Sequence, residues 1–465
     1  MDRLSPLDAA FLELEDGDPN STLSIASVAV LEGPAPAKDE FIDSITARLP
    51  RIPRYRKKVH RLPLDLDAPV WVDDDRFDAR RHFHRVAVPV PGDENALCDL
   101  VALLMAERLD RDHPLWEFWV IEGLEGGRWA VLSKLHHCLA DGISGTRLLS
   151  ALFDTQVATA PDAAQDEDPG SIALLWGAVR KLAAIPFDQT VALTRLVRSP
   201  GLTVRRIADA AKGLGALASA LVPAAPSSLS GPIGPDRRYE LAHASLREMH
   251  EIGEAFDTTV NDVVLASITA AFRALLLRRG EEPCPDSVRT LVPVSVRRDF
   301  ASVDNQISLM LPLLPVDIED PADRLTEVHR RLAELKNSKE VETGAELTGA
   351  GLHVPFAPIS WAIRLAAGLP QHNVVTVTTN VPGPREPLHL FGRAVLGLYP
   401  YVPIALRLRT GIAVLSYGDD VTFGVTLDFD SSPDSGFFSE AIERDLVALY
   451  ELALRGAHAR VTEGG

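Results

Sequence analysis

The residues best suited to chemistry are His136 and His137, which stand with Asp141 and Gly142 in the run His136-His137-Cys138-Leu139-Ala140-Asp141-Gly142. The pattern H-H-x-x-x-D-G arises by chance in well under about one chain in a hundred of this length. A neutral imidazole can take a proton from a weak nucleophile such as a hydroxyl and later return it to a leaving group. One such histidine is enough. Asp141 can accept a histidine N–H, or pair with a distant arginine and only shape the loop, and the sequence leaves both roles open. The plain alternative, two satisfied histidines closing a strand, is weakened by Asp-Gly at this spacing.

Two other chemistries fit the same residues less well. His137 and Asp141 are four apart, which on a helix would set two metal ligands on one face. The preceding residues are strand-like, however, and Gly142 breaks the turn. No H-x-x-x-H, H-E-x-x-H or C-x-x-C accompanies them, and Cys98, Cys138 and Cys284 are scattered, so no metal is expected. A serine hydrolase would show G-x-S-x-G. The chain has Gly142-Ile-Ser144-Gly145, one residue short.

The elements around the motif give it a mount. Trp129 to Leu135 reads as a buried strand, Gly142 and Gly145 interrupt, and Thr146 to Phe153 resumes with helical spacing. The histidines therefore sit on a strand-to-helix loop, a common place for reactive groups on a rigid scaffold. In the second half, Thr259-Val-Asn-Asp262 resembles a capping box for a helix from Val263 to Arg279. Strands are expected at Arg289 to Val296, Gln306 to Val316 and Val374 to Asn380, an amphipathic helix at Asp323 to Lys336 and a closing helix around Phe437 to Leu454. Ile412 to Tyr417 and Val421 to Phe429, flanking Gly418-Asp-Asp420, read as a hairpin.

The 465 residues, 46% hydrophobic and 24% charged, suit a soluble globular protein with a large core. The expected class is α/β, an α+β layered arrangement in two halves. Residues 1–170 form an N-terminal domain carrying the histidine loop and closing in an acidic stretch, Ala158 to Gly170. Residues 171–235 form an alanine- and leucine-rich helical crossover ending in the linker Pro223 to Pro235, and 236–465 form a second domain.

A formal charge of −18 argues against general nucleic-acid binding, which needs a basic face. Locally the balance reverses at Arg48, Arg51, Arg54, Arg56, Lys57, Lys58 and Arg61. This is read first as a solvated cationic face, with the phosphates of a nucleotide-containing substrate or an anionic membrane as the functional alternatives. Three unpaired cysteines and an N-terminus without a signal-peptide pattern point to the cytoplasm. No stretch reaches the roughly 20 apolar residues needed to span a bilayer. The amphipathic segments 202–222 and Ile172 to Val197 could lie on one, or pack between domains.

Several motifs in order resemble the bacterial wax ester synthase/diacylglycerol acyltransferases. They are Pro6-Leu-Asp8 with Phe11, Pro114-Leu-Trp-Glu-Phe-Trp119, the His136 to Gly142 loop, Gly231-Pro-Ile-Gly234, Asn261-Asp262, Pro293-Val-Ser-Val-Arg297 and Asn380-Val-Pro-Gly-Pro384. The resemblance covers nearly the whole chain. It implies two chloramphenicol acetyltransferase-like domains joined by the helical crossover, with an active-site channel at their interface. Acyl-coenzyme A would be a co-substrate, with no cofactor, and the acceptor would be diacylglycerol or a long-chain alcohol.

By the same resemblance His137 is the general base beside His136, and no acyl-enzyme forms. Asp141 pairs with Arg297 to support the fold, and Pro114, Leu115 and Trp116 bear on substrate binding. An aromatic and leucine pair is also ordinary core. The amide of Gly142 and the side chain of Asn261 are candidate oxyanion donors, although Asn261 and Asp262 are equally explained as a helix start. An insoluble acceptor implies peripheral attachment to the inner membrane or a lipid droplet. Two other readings stand beside this one: a same-fold acyltransferase acting on a specialised-metabolite alcohol or amine, and a lipid-binding protein with weak catalysis.

Overall fold

The computed structural model describes residues 2–61, 68–139, 153, 227–295, 307–337, 374–405 and 407–463. The first half runs β1 (Asp2–Arg3), α1 (Pro6–Gly17), β2 (Ser24–Leu31), α2 (Lys38–Thr46), β3 (Lys57–His60), β4 (Val70–Asp73), β5 (Phe83–Ala87), α3 (Glu94–Ala106), β6 (Trp116–Glu122) and β7 (Trp129–His136). The second half begins β8 (Arg237–Ser245), α4 (Leu246–Phe256), α5 (Val260–Arg278), β9 (Val288–Ser295), β10 (Ile307–Met310), β11 (Leu313–Leu314) and α6 (Pro321–Asn337). It continues β12 (Thr376–Val381), β13 (His389–Leu390), β14 (Arg393–Tyr401), β15 (Thr410–Tyr417), β16 (Asp420–Asp428) and α7 (Ser435–Glu463).

The mixed α/β class follows from how these elements pair. One sheet has the order β13-β14-β2-β7-β6-β5, and a second runs β10-β9-β12-β15-β16-β8, with β11 on β9. The strands β1, β4 and β3 make a small third sheet. The first sheet is not built from the first half alone. β14 lies antiparallel on β2, with Val395 opposite Leu31 and Tyr401 opposite Ala26, so a strand from late in the chain completes the sheet that carries the histidine motif.

Strand β7 lies inside that sheet and is buried on both faces, as a near-continuous apolar run predicts. Its pleat sends Trp129, Val131 and Leu135 to one core and Ala130 and Leu132 to another. The second of these cores takes in α3 and also Tyr239 of β8 and Tyr401 of β14, so the two halves share buried apolar surface. A polar clamp sits at the same seam. Buried Arg237 donates to the carbonyls of Gly234 (2.7 Å), Asp236 (2.9 Å) and Asn20, and the Asn20 side chain donates to the Ile233 carbonyl at 3.0 Å. The Gly231-Pro-Ile-Gly234 motif thus lies where the halves join.

Most of the expected elements of the second half are present, with shifts at their ends. Helix α5 starts at Val260 rather than Val263, because Thr259 caps it: the Thr259 side chain accepts the Asp262 N–H, and the Asp262 carboxylate accepts the Thr259 N–H at 2.8 Å. The hairpin turns at Gly418, whose φ of 59° is left-handed backbone. One expectation is corrected. The strand expected over Gln306 to Val316 is interrupted within its described part, 307–316, since Pro312 has no N–H for the ladder and separates β10 from β11. Its carbonyl is used instead by the Thr290 N–H, at 3.1 Å.

The basic segment is largely engaged by its own protein. Lys58 lies 3.5 Å from Asp74, and Arg61 bridges Glu13 (3.1 Å) and Asp16 (2.7 Å). The Arg54 guanidinium lies over Trp71 and that of Arg56 over Phe77. Four of the seven charges therefore have counterparts within the fold rather than forming one free cationic face. The acidic stretch 158–170, the segments 171–222 and the first part of the linker lie outside the described residues.

Candidate active site

Both backbone groups that end β7 are pinned by neighbouring chain segments. The His136 N–H donates to the Leu115 carbonyl at 3.0 Å, and the His137 N–H donates to the Leu23 carbonyl at 2.8 Å. Leu115 immediately precedes β6 and Leu23 immediately precedes β2, so the point where the chain leaves the sheet is set from both sides. A single 3-10 turn, His137–Leu139, follows. Cys138 and Leu139 are buried and anchor that turn in the core, whereas His137 is only partly buried.

Helix α1 lies against this turn. Ser5 caps it, accepting the Asp8 N–H at 3.1 Å, and Pro6 occupies its first position, a favoured start because proline has no N–H to satisfy. That is the physical content of the Pro6-Leu-Asp8 motif. Four residues apart on one helix face, Phe11 and Glu15 reach the two histidines. The Phe11 ring stacks on His137 with centroids 3.9 Å apart and planes tilted by 32°. Glu15, fully buried, puts Oε2 3.5 Å from His136 Nε2.

The two imidazoles are in different states of use. His136 is buried, and its Nδ1 accepts the Cys138 N–H at 3.2 Å. That assigns the ring proton to Nε2, on the Glu15 side. His137 is pushed down to about 4, by burial first and by the neighbouring His136 second, so it is neutral at ordinary pH. A neutral, partly accessible imidazole on a pinned turn is competent to accept a proton. The adjacent Cys138 thiol is fully buried and held well above its ordinary value by burial, which removes it as a nucleophile.

Burial alone would raise the Glu15 carboxyl. Instead His136, Arg111 and the Leu23 N–H outweigh it and lower the group to about 2. Arg111 contacts the carboxylate directly, and the Leu23 N–H donates to Oε1 at 2.9 Å. Arg108 donates to the carbonyls of Glu15 (2.5 Å), Asp18 (2.6 Å) and Ser21 (3.1 Å), closing the C-terminal end of α1 with a cation as the helix dipole favours.

The remaining expected site residues divide into three groups. Pro114, Leu115 and Trp116 are buried: Trp116 donates its Nε1–H to the Tyr55 carbonyl at 2.8 Å and stacks on His82, while the Leu115 carbonyl holds His136. Asn261 meets Asn380 across the second half, with Nδ2 of Asn380 3.4 Å from Oδ1 of Asn261, so the Asn-Asp and Asn-Val-Pro-Gly-Pro motifs converge. Asp262 is buried, its Oδ2 taken by the Thr259 N–H and by His329 Nδ1 at 2.8 Å, the surroundings of a residue that organises the start of α5. Asp141, Gly142 and Arg297 lie outside the described residues.

Glu15, Arg111 and Leu23 were not singled out by the sequence. Glu15 is one of several carboxylates in Glu13-Leu-Glu-Asp-Gly-Asp18; Glu13 is buried as well but meets Arg61, and only the packing of α1 turns Glu15 toward the histidines. Its spacing of four from Phe11 was the available signal. No group of metal-ligating side chains occurs among the described residues.

Comparison with known proteins identifies the family. The family described as the wax ester synthase/diacylglycerol acyltransferase catalytic domain matches residues 4–264, and its C-terminal domain matches residues 303–450. The chain is 44% identical over 459 residues to a probable diacylglycerol O-acyltransferase of Mycobacterium tuberculosis, covering 98% of this chain and 97% of that one. It is 36% identical over 453 residues to a putative diacylglycerol O-acyltransferase of the same species, covering 97% and 92%.

Among solved structures, the wax ester synthase/diacylglycerol acyltransferase from Marinobacter aquaeolei superposes with a TM-score of 0.65 at 24% identity, covering 97% of this chain and 99% of that one. A trichothecene 15-O-acetyltransferase from Fusarium sporotrichioides gives 0.60 at 13% identity, covering 96% and 94%. These two likenesses establish a shared acyltransferase fold. With both family domains matched in order and a relative 44% identical along almost its whole length, this chain belongs to the wax ester synthase/diacylglycerol acyltransferase family.

Proposed function

We propose that the protein transfers a long-chain acyl group from acyl-coenzyme A to the free hydroxyl of diacylglycerol, forming triacylglycerol, and accepts long-chain alcohols as a second acceptor class. The observation that carries this reading is the neutral, partly accessible His137 on a turn pinned by Leu23 and Leu115. His137 takes the acceptor hydroxyl proton as the oxygen bonds to the thioester carbonyl carbon. The tetrahedral intermediate then expels the coenzyme A thiolate, and the same imidazole returns the proton to sulfur. Burial of Cys138 favours direct transfer over an acyl-cysteine. The fold, family and relatives support acyl-coenzyme A as donor, and the names of the mycobacterial relatives support diacylglycerol as acceptor.

Since diacylglycerol is insoluble, the reaction belongs at a lipid surface, with the protein in the cytoplasm and peripherally attached to the inner membrane or to a lipid droplet. The described helix long and apolar enough to cross a membrane is α5, and 67% of its apolar window is buried inside the fold, as in a core helix.

The deciding experiment measures coenzyme A release from palmitoyl-coenzyme A by purified protein with diacylglycerol, hexadecanol or no acceptor, alongside His137→Ala. Acceptor-dependent release that is lost in the variant supports the proposal. Release confined to a soluble acceptor alcohol or amine would move the protein to specialised-metabolite acylation, and no release from folded protein would leave a lipid-binding role. Flotation with anionic phospholipid vesicles tests attachment; protein remaining at the bottom of the gradient refutes it.

A further inference from the structure

We infer that Glu15 is the positioning residue of the catalytic turn: its buried carboxylate holds Leu23 and faces His136, the two residues from which the His137 turn is hung. The inference rests on the reading of His137 as the base. A fully buried carboxylate is costly to desolvate and persists only where several partners meet it. Those partners here are specific to the turn. Oε1 accepts the Leu23 N–H at 2.9 Å, and the Leu23 carbonyl in turn accepts the His137 N–H at 2.8 Å. Oε2 meets Arg111 and stands 3.5 Å from His136 Nε2.

The His136 ring has only one orientation of its proton that suits both ends. Cys138 N–H occupies Nδ1, so Nε2 must carry hydrogen, and that buried atom has no hydrogen-bond partner in this geometry. The charge of the Glu15 carboxylate, 3.5 Å away, favours a proton on Nε2, hence the His136 tautomer whose Nδ1 receives the Cys138 N–H, and that bond sets the direction in which the turn leaves the strand. Phe11, one helical turn earlier on the same face, rests on His137 itself. An ion pair serving only to anchor α1 would need Arg111 but neither Leu23 nor His136.

The test uses the full chain with Glu15→Gln, which keeps the shape and an acceptor for Leu23 but removes the charge, together with His136→Gln and the double variant. The expected result is a kcat lowered about ten- to a hundredfold, the range typical of groups that orient a catalytic ligand, with KM for acyl-coenzyme A changed less than about threefold. The double variant is expected to fall no further than His136→Gln alone, because residues acting along one path are not additive. In parallel, 15N resonances of the labelled imidazoles read the His136 tautomer without reference to turnover: a single form with unprotonated Nδ1 in the parent, a mixture in Glu15→Gln.

A kcat within about twofold of the parent, or a lowered melting temperature with kcat per folded molecule preserved, would overturn the inference. So would an unchanged tautomer. If the parent protein releases no coenzyme A with any acceptor, the proposed function fails, and the tautomer measurement still decides the role of Glu15.

Discussion

Phe11 and His137 lie ring against ring, centroids 3.9 Å apart and planes tilted by 32°, although 126 positions separate them in the chain. Through this contact an apolar ring from the first helix helps withdraw water from the imidazole that the family motif places at the end of β7. Burial is the first cause of the depressed His137 basicity, and Phe11 is part of that burial.

Removal of the base is the most direct prediction. His137→Ala should lower kcat by about 10²- to 10⁴-fold, the usual contribution of general acid–base assistance. Because the turn is held by its backbone and by buried Cys138 and Leu139, the melting temperature should change little. Steady-state coenzyme A release and a thermal scan check the two halves of the statement; loss of both activity and fold would instead mark His137 as structural.

The pH dependence follows from the direction of the shift. His137 is neutral above about 4, so the acid limb of kcat/KM should lie well below the ordinary histidine value of about 6.5. Stability carries the same sign. The unfolded chain protonates this histidine below about 6.5 and the folded chain resists until about 4, so stability is lost as pH falls through that window. A pH–rate profile and acid titration of the unfolding midpoint measure the two effects, and His137→Asn should flatten the second.

Phe11→Ala should move the acid limb upward, toward the ordinary value, because rehydration stabilises the imidazolium. A companion Phe11→Leu, which keeps apolar cover, should move it less. An acid limb that stays in place in Phe11→Ala would show that other residues supply the desolvation.

At the seam between the halves, Arg237→Ala should destabilise the fold by about 2–4 kcal/mol, since it strips donors from the carbonyls of Asn20, Gly234 and Asp236. Arg237→Lys should recover only part, because a point-like ammonium cannot reproduce the guanidinium fork. Denaturant unfolding followed by tryptophan fluorescence gives both values.

Gly383→Ala should also be destabilising. A Cβ there would come 1.8 Å from the Ser416 carbonyl oxygen, which is backbone and has little room to move, while the Gly383 N–H donates to Ser416 Oγ at 3.0 Å. The expected loss is at least about 1–3 kcal/mol, read by the same denaturant titration. This gives the glycine of Asn380-Val-Pro-Gly-Pro384 a packing reason.

Local chemistry is legible in the chain itself. The apolar run that leads into His136 reads as a buried strand, Thr259 and Asp262 cap a helix by their own side chains, and Gly418 turns a hairpin, since each depends on neighbours within a few residues. The histidine motif followed from fixed spacing, and the family from the resemblance of several motifs in order. What tertiary structure alone decided is which distant groups those elements meet. β14 joins the sheet of the first half, a pairing for which strand periodicity holds no address. Glu15, one carboxylate in an acidic run, becomes the buried partner of Arg111, Leu23 and His136, and much of a basic cluster is taken up by Glu13, Asp16, Asp74, Trp71 and Phe77. Burial, and with it the balance of charge and basicity at His137, is a property of the packed whole, because desolvation depends on every element that excludes water from the site.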